Sequence, residues 1–130
     1  MIYEMTVQLR VPDIKKGQEW YETLLHRPPD FIPHEGFAEW ELVPGCWLQV
    51  AEGSPSVHSG PIRLGVEDIC KERERLTSLL GTEHFEIHAR EEVPVKWGTF
   101  RDPWGNGIGL FQYHDKSEMM RRIDMLRNEV

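Results

Sequence analysis

Displaced by 55 residues, the sequence repeats itself: Leu9, Val11, Asp13, Ile14, Lys16, Glu19, Leu24 and Leu25 meet Leu64, Val66, Asp68, Ile69, Lys71, Glu74, Leu79 and Leu80. That is eight identities in the 17 positions from Leu9 to Leu25, where unrelated sequence gives roughly one. Such a duplication restricts the fold more than composition does, because whatever unit the first copy forms, the second forms again. Each copy opens on an alternating run, VQLRV or IRLGV, that suits a half-buried strand. An acidic residue follows, Asp13 or Asp68, with the short carboxylate that suits a helix N-cap. A helical stretch then ends in Leu-Leu, and Gly81 stands after the second one as a C-cap.

Beyond each helix come three strand-like runs, about 30–34, 36–43 and 47–52 in the first half and 84–89, 95–102 and 107–113 in the second. A displacement of 60 pairs Trp40 with Phe100, Gly45 with Gly105 and Leu48 with Ile108, so each half reads βαβββ. The stretch WGTFRDPWGNGIGLFQY, residues 97–113, is a β-hairpin by its own chemistry. Pro103 lacks a backbone donor, and Gly105, Asn106 and Gly107 tolerate positive φ between two strand-like runs. The loop AEGSPSVHSGP joins the halves. In the tail DKSEMMRRIDMLRNEV, Met119, Met120, Ile123 and Leu126 recur at three- and four-residue spacing, which predicts an amphipathic helix. The expected organisation is α+β: one domain over 1–114, built from repeat units 1–54 and 60–114, and a C-terminal helix over 115–130.

With 130 residues, 39% of them hydrophobic, the chain is long enough for one domain with a core that needs no covalent staples. Cys46 and Cys70 are the only cysteines, lack CxxC spacing and are read as reduced thiols. No apolar run approaches the roughly 18 residues of a membrane span, and MIYEMTVQLRVPD lacks the pattern of a signal peptide. A cytoplasmic protein is expected, with no membrane partner. The net charge of -7 argues against nucleic acid, whose binding rests on clustered Lys and Arg. A small molecule is the expected partner.

The pattern V-x-D-I…W-Y-x-x-L-L and the ending F-x-D-P-x-G-N-x-I, carried by two βαβββ units, resemble the vicinal oxygen chelate superfamily. Its members include glyoxalases, bleomycin-resistance proteins, extradiol dioxygenases and fosfomycin-resistance enzymes. The resemblance covers nearly the whole chain before the C-terminal helix, and its FRDPWGNGIGL segment is specific to the fold more than to a reaction. It implies two curled sheets forming an open barrel-like cleft for the ligand, with the hairpin supplying the closing strands and its turn from Asp102 to Asn106 mainly architectural. It also implies a homodimer, since a second copy commonly covers the edges and cleft mouths that open sheets leave. His26 departs from the Gly that such proteins usually carry after the first helix.

Enzymes of the superfamily hold one divalent metal through His, Gln or Glu on cleft-facing strands. Matched motif to motif, the four ligand positions fall on Thr6, Gln49, Pro61 and Gly109. Pro61 and Gly109 have no side-chain donor and a neutral Thr6 hydroxyl is a poor ligand, which leaves Gln49. A catalytic zinc takes about three protein ligands, and a hard cation takes several oxygens. No metal and no cofactor is expected.

Strand alternation sorts the side chains. Val7, Leu9 and Val11, like Ile62, Leu64 and Val66, pack under the helices, which leaves Thr6, Gln8 and Arg10, with Pro61, Arg63 and Gly65, on the cleft face. By the same rule Trp47 and Gln49, and Gly109, Phe111 and Tyr113, face the cleft, while Leu48, Val50, Ile108 and Leu110 face the helices. The expected ligand-binding residues are Thr6, Gln8, Trp47, Gln49, Arg63, Phe111 and Tyr113, with aromatic rings for a flat apolar ligand and polar groups to orient it. A one-residue slip exchanges the faces. Plainer roles compete with these. Trp47 also fits as packing, and Arg63 also fits as cover for apolar surface. Trp20 and Tyr21 are read as core, the His84/His88 spacing as a surface coincidence, His34-Glu35 as a hairpin turn, and KERERL as a solvated helix face in which Glu72 pairs with Arg73 and Arg75.

The favoured function is metal-free small-molecule binding of the bleomycin-resistance type, with no catalytic residue assigned. One alternative is a divalent-metal-dependent lyase or dioxygenase with relocated ligands. The other is an interaction module with a vestigial cleft.

Overall fold

The computed structural model describes residues 1–56 and 59–128. Two compact units divide the chain, Met1–Val57 with Pro103–Asn106, and His58–Asp102 with Gly107–Val130. Val57 and His58 of the expected joining loop, and Glu129 and Val130 of the expected C-terminal helix, lie outside the described residues.

In the first unit β1 (Met5–Val11) leads into α1 (Ile14–Leu25), then β2 (Phe37–Val43) and β3 (Cys46–Glu52). The sheet order is β1-β3-β2, parallel between β1 and β3 and antiparallel between β2 and β3. Asp13 caps α1 by accepting from the backbone N–H groups of Lys15 and Lys16 at 3.0 and 3.3 Å. Trp20, Tyr21 and Leu24 then recur on one face and are buried together with Leu9, Val11, Ala38, Trp40, Leu48 and Val50. Each large side chain removed from water in this way contributes about 1.5–3 kcal/mol. The alternation read from the sequence is the one observed: Leu9, Val11, Leu48 and Val50 are buried, whereas Thr6, Gln8 and Arg10 are exposed.

The second unit repeats the plan. Its elements are β4 (Ile62–Gly65), α2 (Ile69–Leu80), β5 (His88–Ala89), β6 (Val95–Arg101), β7 (Gly107–Tyr113) and α3 (Lys116–Asn128), with sheet order β4-β7-β6-β5. The parallel pair is again first strand with last, β4 with β7. Asp68 caps α2 from Lys71 N–H at 3.0 Å, and the Gln112 side chain accepts from Ile69 N–H at 2.9 Å. Ile69, Leu76, Phe85, Phe100, Ile108 and Leu110 form the core, with Phe85 and Phe100 stacked at 5.2 Å between centroids.

Four expectations need correction. Of the run 30–34, only Phe31 pairs, bridging Glu39 through backbone bonds of 3.2 and 2.9 Å. Pro33 offers no donor to extend that ladder. In the run 84–89 only His88 and Ala89 form a strand, because Phe85 turns back on Glu83 through a 2.9 Å backbone bond and sinks into the core. Seven strands among the described residues thus replace eight. In KERERL, Arg75 pairs with Glu72 at 2.9 Å, but Arg73 is half-buried and donates to the Phe85 carbonyl at 3.0 Å. The C-terminal helix forms as expected, yet its apolar positions diverge: Met119 and Ile123 are half-buried, while Met120, Met125 and Leu126 are exposed.

The hairpin is antiparallel with Arg101 opposite Gly107, and Gly105 alone of the turn has a left-handed φ, +96°. Asn106 is buried and donates from Nδ2 to the Arg10 carbonyl at 3.0 Å, and Trp104 meets Trp20 edge-on at 6.5 Å. A buried amide satisfied by backbone is a structural role, consistent with an architectural turn.

Candidate functional site

Each sheet packs one face against α1 or α2 and leaves the alternate strand positions on the other, open face, which on the second sheet α3 overlaps at its Tyr113 end. On the first sheet the register sets Gln8, Gln49 and Glu39 in one row and Thr6, Trp47 and Glu41 in the next. Hydrogen bonds run along the first row, from Gln8 Nε2 to Gln49 Oε1 at 3.3 Å and from Gln49 Nε2 to Glu39 Oε1 at 2.8 Å. Trp47 is half-buried and its Nε1 donates to Glu4 at 2.9 Å. The open face of the first unit is therefore polar and acidic, and its amides are already engaged with each other and with a carboxylate.

On the second sheet the rows are Arg63–Gly109–Thr99 and Gly65–Phe111–Trp97, with Tyr113 opposite Val95 and His88 opposite Trp97. Phe111 leans over Gly65, where an added Cβ would lie 3.1 Å from the ring. Phe111 and Tyr113 meet edge-on at 6.1 Å, and His88 lies 5.5 Å from Trp97. The Arg122 guanidinium from α3 sits 4.2 Å above the Tyr113 ring, a cation–π contact, and also donates to Glu118 at 2.8 Å. Hydrogen bonds from Arg122, then from Arg121, hold the Glu118 carboxyl below its ordinary range. At one end of the sheet, Ser59, Pro61, Glu83, Thr99, Arg101 and Gly107 are among the residues lining a cavity of about 220 Å³.

The strand positions place Thr6, Gln8, Trp47 and Gln49 on the open face of the first sheet and Arg63, Phe111 and Tyr113 on that of the second. Sequence reasoning missed Trp97, Thr99 and Glu39. Trp97 and Thr99 were within reach: counting outward from the DPWGN turn puts Trp97 opposite Phe111 and Thr99 opposite Gly109. Glu39 needed the register of β2 on β3, which shifts between Glu41 and Val43.

The four positions that match the metal ligands of the vicinal oxygen chelate enzymes do not fit a metal. Gln49 is held between Gln8 and Glu39, and Pro61 has no donor. At Gly109 an added Cβ would lie 3.1 Å from Arg63 Cγ, so the Arg63 stem occupies the space a ligating side chain needs. Among the described residues no group of three or more His, Cys, Asp or Glu side chains is placed to hold a metal ion.

No helix among the described residues is long and apolar enough to cross a membrane. No family model and no curated protein matches the sequence. Solved structures do. The chain is 30% identical to a glyoxalase/bleomycin resistance protein from Catenulispora acidiphila, over 84% of this chain and 96% of that one, with a TM-score of 0.66. The fosfomycin resistance protein FosX of Listeria monocytogenes matches at 15% identity, 86% and 93% coverage and a TM-score of 0.68. A glyoxalase/bleomycin resistance protein/dioxygenase from Nocardioides matches at 19% identity, 84% and 82% coverage and a TM-score of 0.60. At those two identities the likeness is one of fold.

Proposed function

The chain belongs to the glyoxalase/bleomycin resistance family of the vicinal oxygen chelate superfamily, and from that premise we propose that it binds a small, flat, apolar or aromatic molecule without a metal. The observation that carries this reading is the pair of rings Trp97 and Phe111 side by side on the open face of the second sheet, with Tyr113, itself covered by Arg122, edge-on to Phe111. Aromatic faces left half-exposed beside one another are stacking surface, and a ligand ring covering them gains apolar burial and edge-to-face contacts worth about 0.5–1.5 kcal/mol per pair beyond the area term. The same function on the first sheet would rest on Trp47, with Thr6, Gln8 and Gln49 as polar groups. That face is the weaker one, because its amides and its indole N–H are already committed.

A second copy of the chain belongs to the reading. Met120, Met125 and Leu126 on α3, with Met1, Ile2 and Tyr3 at the start, are exposed apolar side chains, and a homodimer interface is the simplest cover for such surface. Sedimentation at tens of micromolar is expected to give a dimer.

Binding is tested by titrating the protein with a panel of one- to three-ring aromatic compounds while following Trp emission, since Trp97 lies on the proposed face. Saturable quenching by part of the panel, weakened in Phe111→Ala, is the expected result. A panel that gives no saturable quenching, or quenching untouched by Phe111→Ala, refutes the reading.

A further inference from the structure

Arg63 is exposed on the open face of the second sheet, its stem lying across Gly109 with Nη1 3.6 Å from the place of a Cβ there. Among the described residues it enters no ion pair and no hydrogen bond, a state it shares with respect to ion pairs with Arg10, Arg90 and Arg127, while Arg27, Arg73, Arg75, Arg121 and Arg122 have carboxylate partners. The strand positions that share this face, on β4, β7, β6 and β5, hold no Asp or Glu. What sets Arg63 apart is its neighbours: the guanidinium stands clear of acids on its face and beside Trp97, Thr99 and Phe111. Glycine at 109 is what lets it lie there.

We infer that the ligand of this face is an aromatic oxyanion, a flat ring bearing a carboxylate or similar acid, with the ring on Phe111 and Trp97 and the acid on Arg63. The inference rests on the binding reading above and adds its charge class. A planar guanidinium donates two parallel hydrogen bonds to a carboxylate, which fixes orientation as well as adding affinity. The Thr99 hydroxyl, in the Arg63–Gly109–Thr99 row, is the second donor on the same face.

The test compares 2-naphthoate with its neutral analogue 2-naphthamide by calorimetry, in the wild type, Arg63→Gln, Arg63→Lys and Phe111→Ala, with a thermal melt of each variant to confirm folding. A charge-assisted contact of this kind predicts that the wild type prefers the carboxylate by about tenfold or more. Arg63→Gln should abolish that preference while leaving 2-naphthamide binding within about twofold, and Arg63→Lys should retain part of it. Phe111→Ala should weaken both compounds. Equal binding of the two compounds by the wild type, or a preference that survives in Arg63→Gln, overturns the oxyanion assignment and leaves the stacking face standing. Failure of both compounds to bind the folded wild type overturns both.

Discussion

Where the first sheet carries Gln8, the second carries Arg63, and where the first carries Glu41, Gln49 and Ala51, the second carries Arg101, Gly109 and Phe111. The scaffold residues at the same displacements did not diverge in this way: Leu9 and Leu64, and Asp13 and Asp68, are identical and keep the same strand and cap positions. The difference teaches which positions the duplication left free. Side chains facing a helix are held by packing, whereas those on the open face answer to whatever they contact. One face became acidic and closed its hydrogen bonds internally, and the other became aromatic and cationic with a guanidinium left over.

The sharpest test of the divergence in the cores is at Gly98, whose first-unit counterpart is the buried Ala38. A Cβ at Gly98 would lie 2.4 Å from the Phe85 ring and 2.9 Å from the Glu86 carbonyl, so Gly98→Ala is expected to destabilise by about 1–3 kcal/mol. A thermal melt decides it, and an unchanged midpoint would mean that Phe85 does not lie over β6. Next comes Gly105, at φ +96° with nothing within 4 Å of an added Cβ, so only backbone strain is at stake. Gly105→Val should cost about 1–2 kcal/mol in the same melt, with ligand affinity unchanged in the folded protein. Smaller still is the effect at the helix ends, where His26 and Gly81 both adopt φ +65°. Gly81→Ala should cost about 1 kcal/mol, although the first unit tolerates a non-glycine residue at the matching place.

The mildest perturbation is acid. Hydrogen bonds from Arg122 and Arg121 hold the Glu118 carboxyl low, and those from the Ser117 side chain and backbone hold Asp115 low. A depressed carboxylate stabilises the fold above its ordinary range and loses that contribution as the pH falls through the depressed value. Hydrogen exchange of the α3 amides should therefore accelerate below about pH 4, before that of β7. Simultaneous loss of both would show that α3 is not docked through these groups.

The architecture was legible because repetition, capping and alternation all pointed the same way. Asp13, Asp68 and Gly81 occupy the cap positions their chemistry predicts, and the DPWGN turn set its hairpin register. The short strands were not legible. Phe31 and Phe85 sit in apolar runs that look alike in sequence, but one bridges a strand from an exposed position and the other turns inward to the core. Packing against Gly98 and Phe100 distinguishes Phe85, and both contacts come from strands distant in sequence. The open faces were half legible: alternation sorted the first and last strands of each unit, while Trp97 and Glu39 depended on how the middle strands register against them.

The central claim, that the second open face and not the first carries the ligand, is tested most directly by measuring the affinity of one quenching aromatic compound for Phe111→Ala and Trp47→Ala side by side. Loss of a stacking ring predicts that Phe111→Ala weakens binding by about tenfold, while Trp47→Ala stays within about twofold of the wild type. Binding that collapses in Trp47→Ala and is untouched in a folded Phe111→Ala would contradict the account.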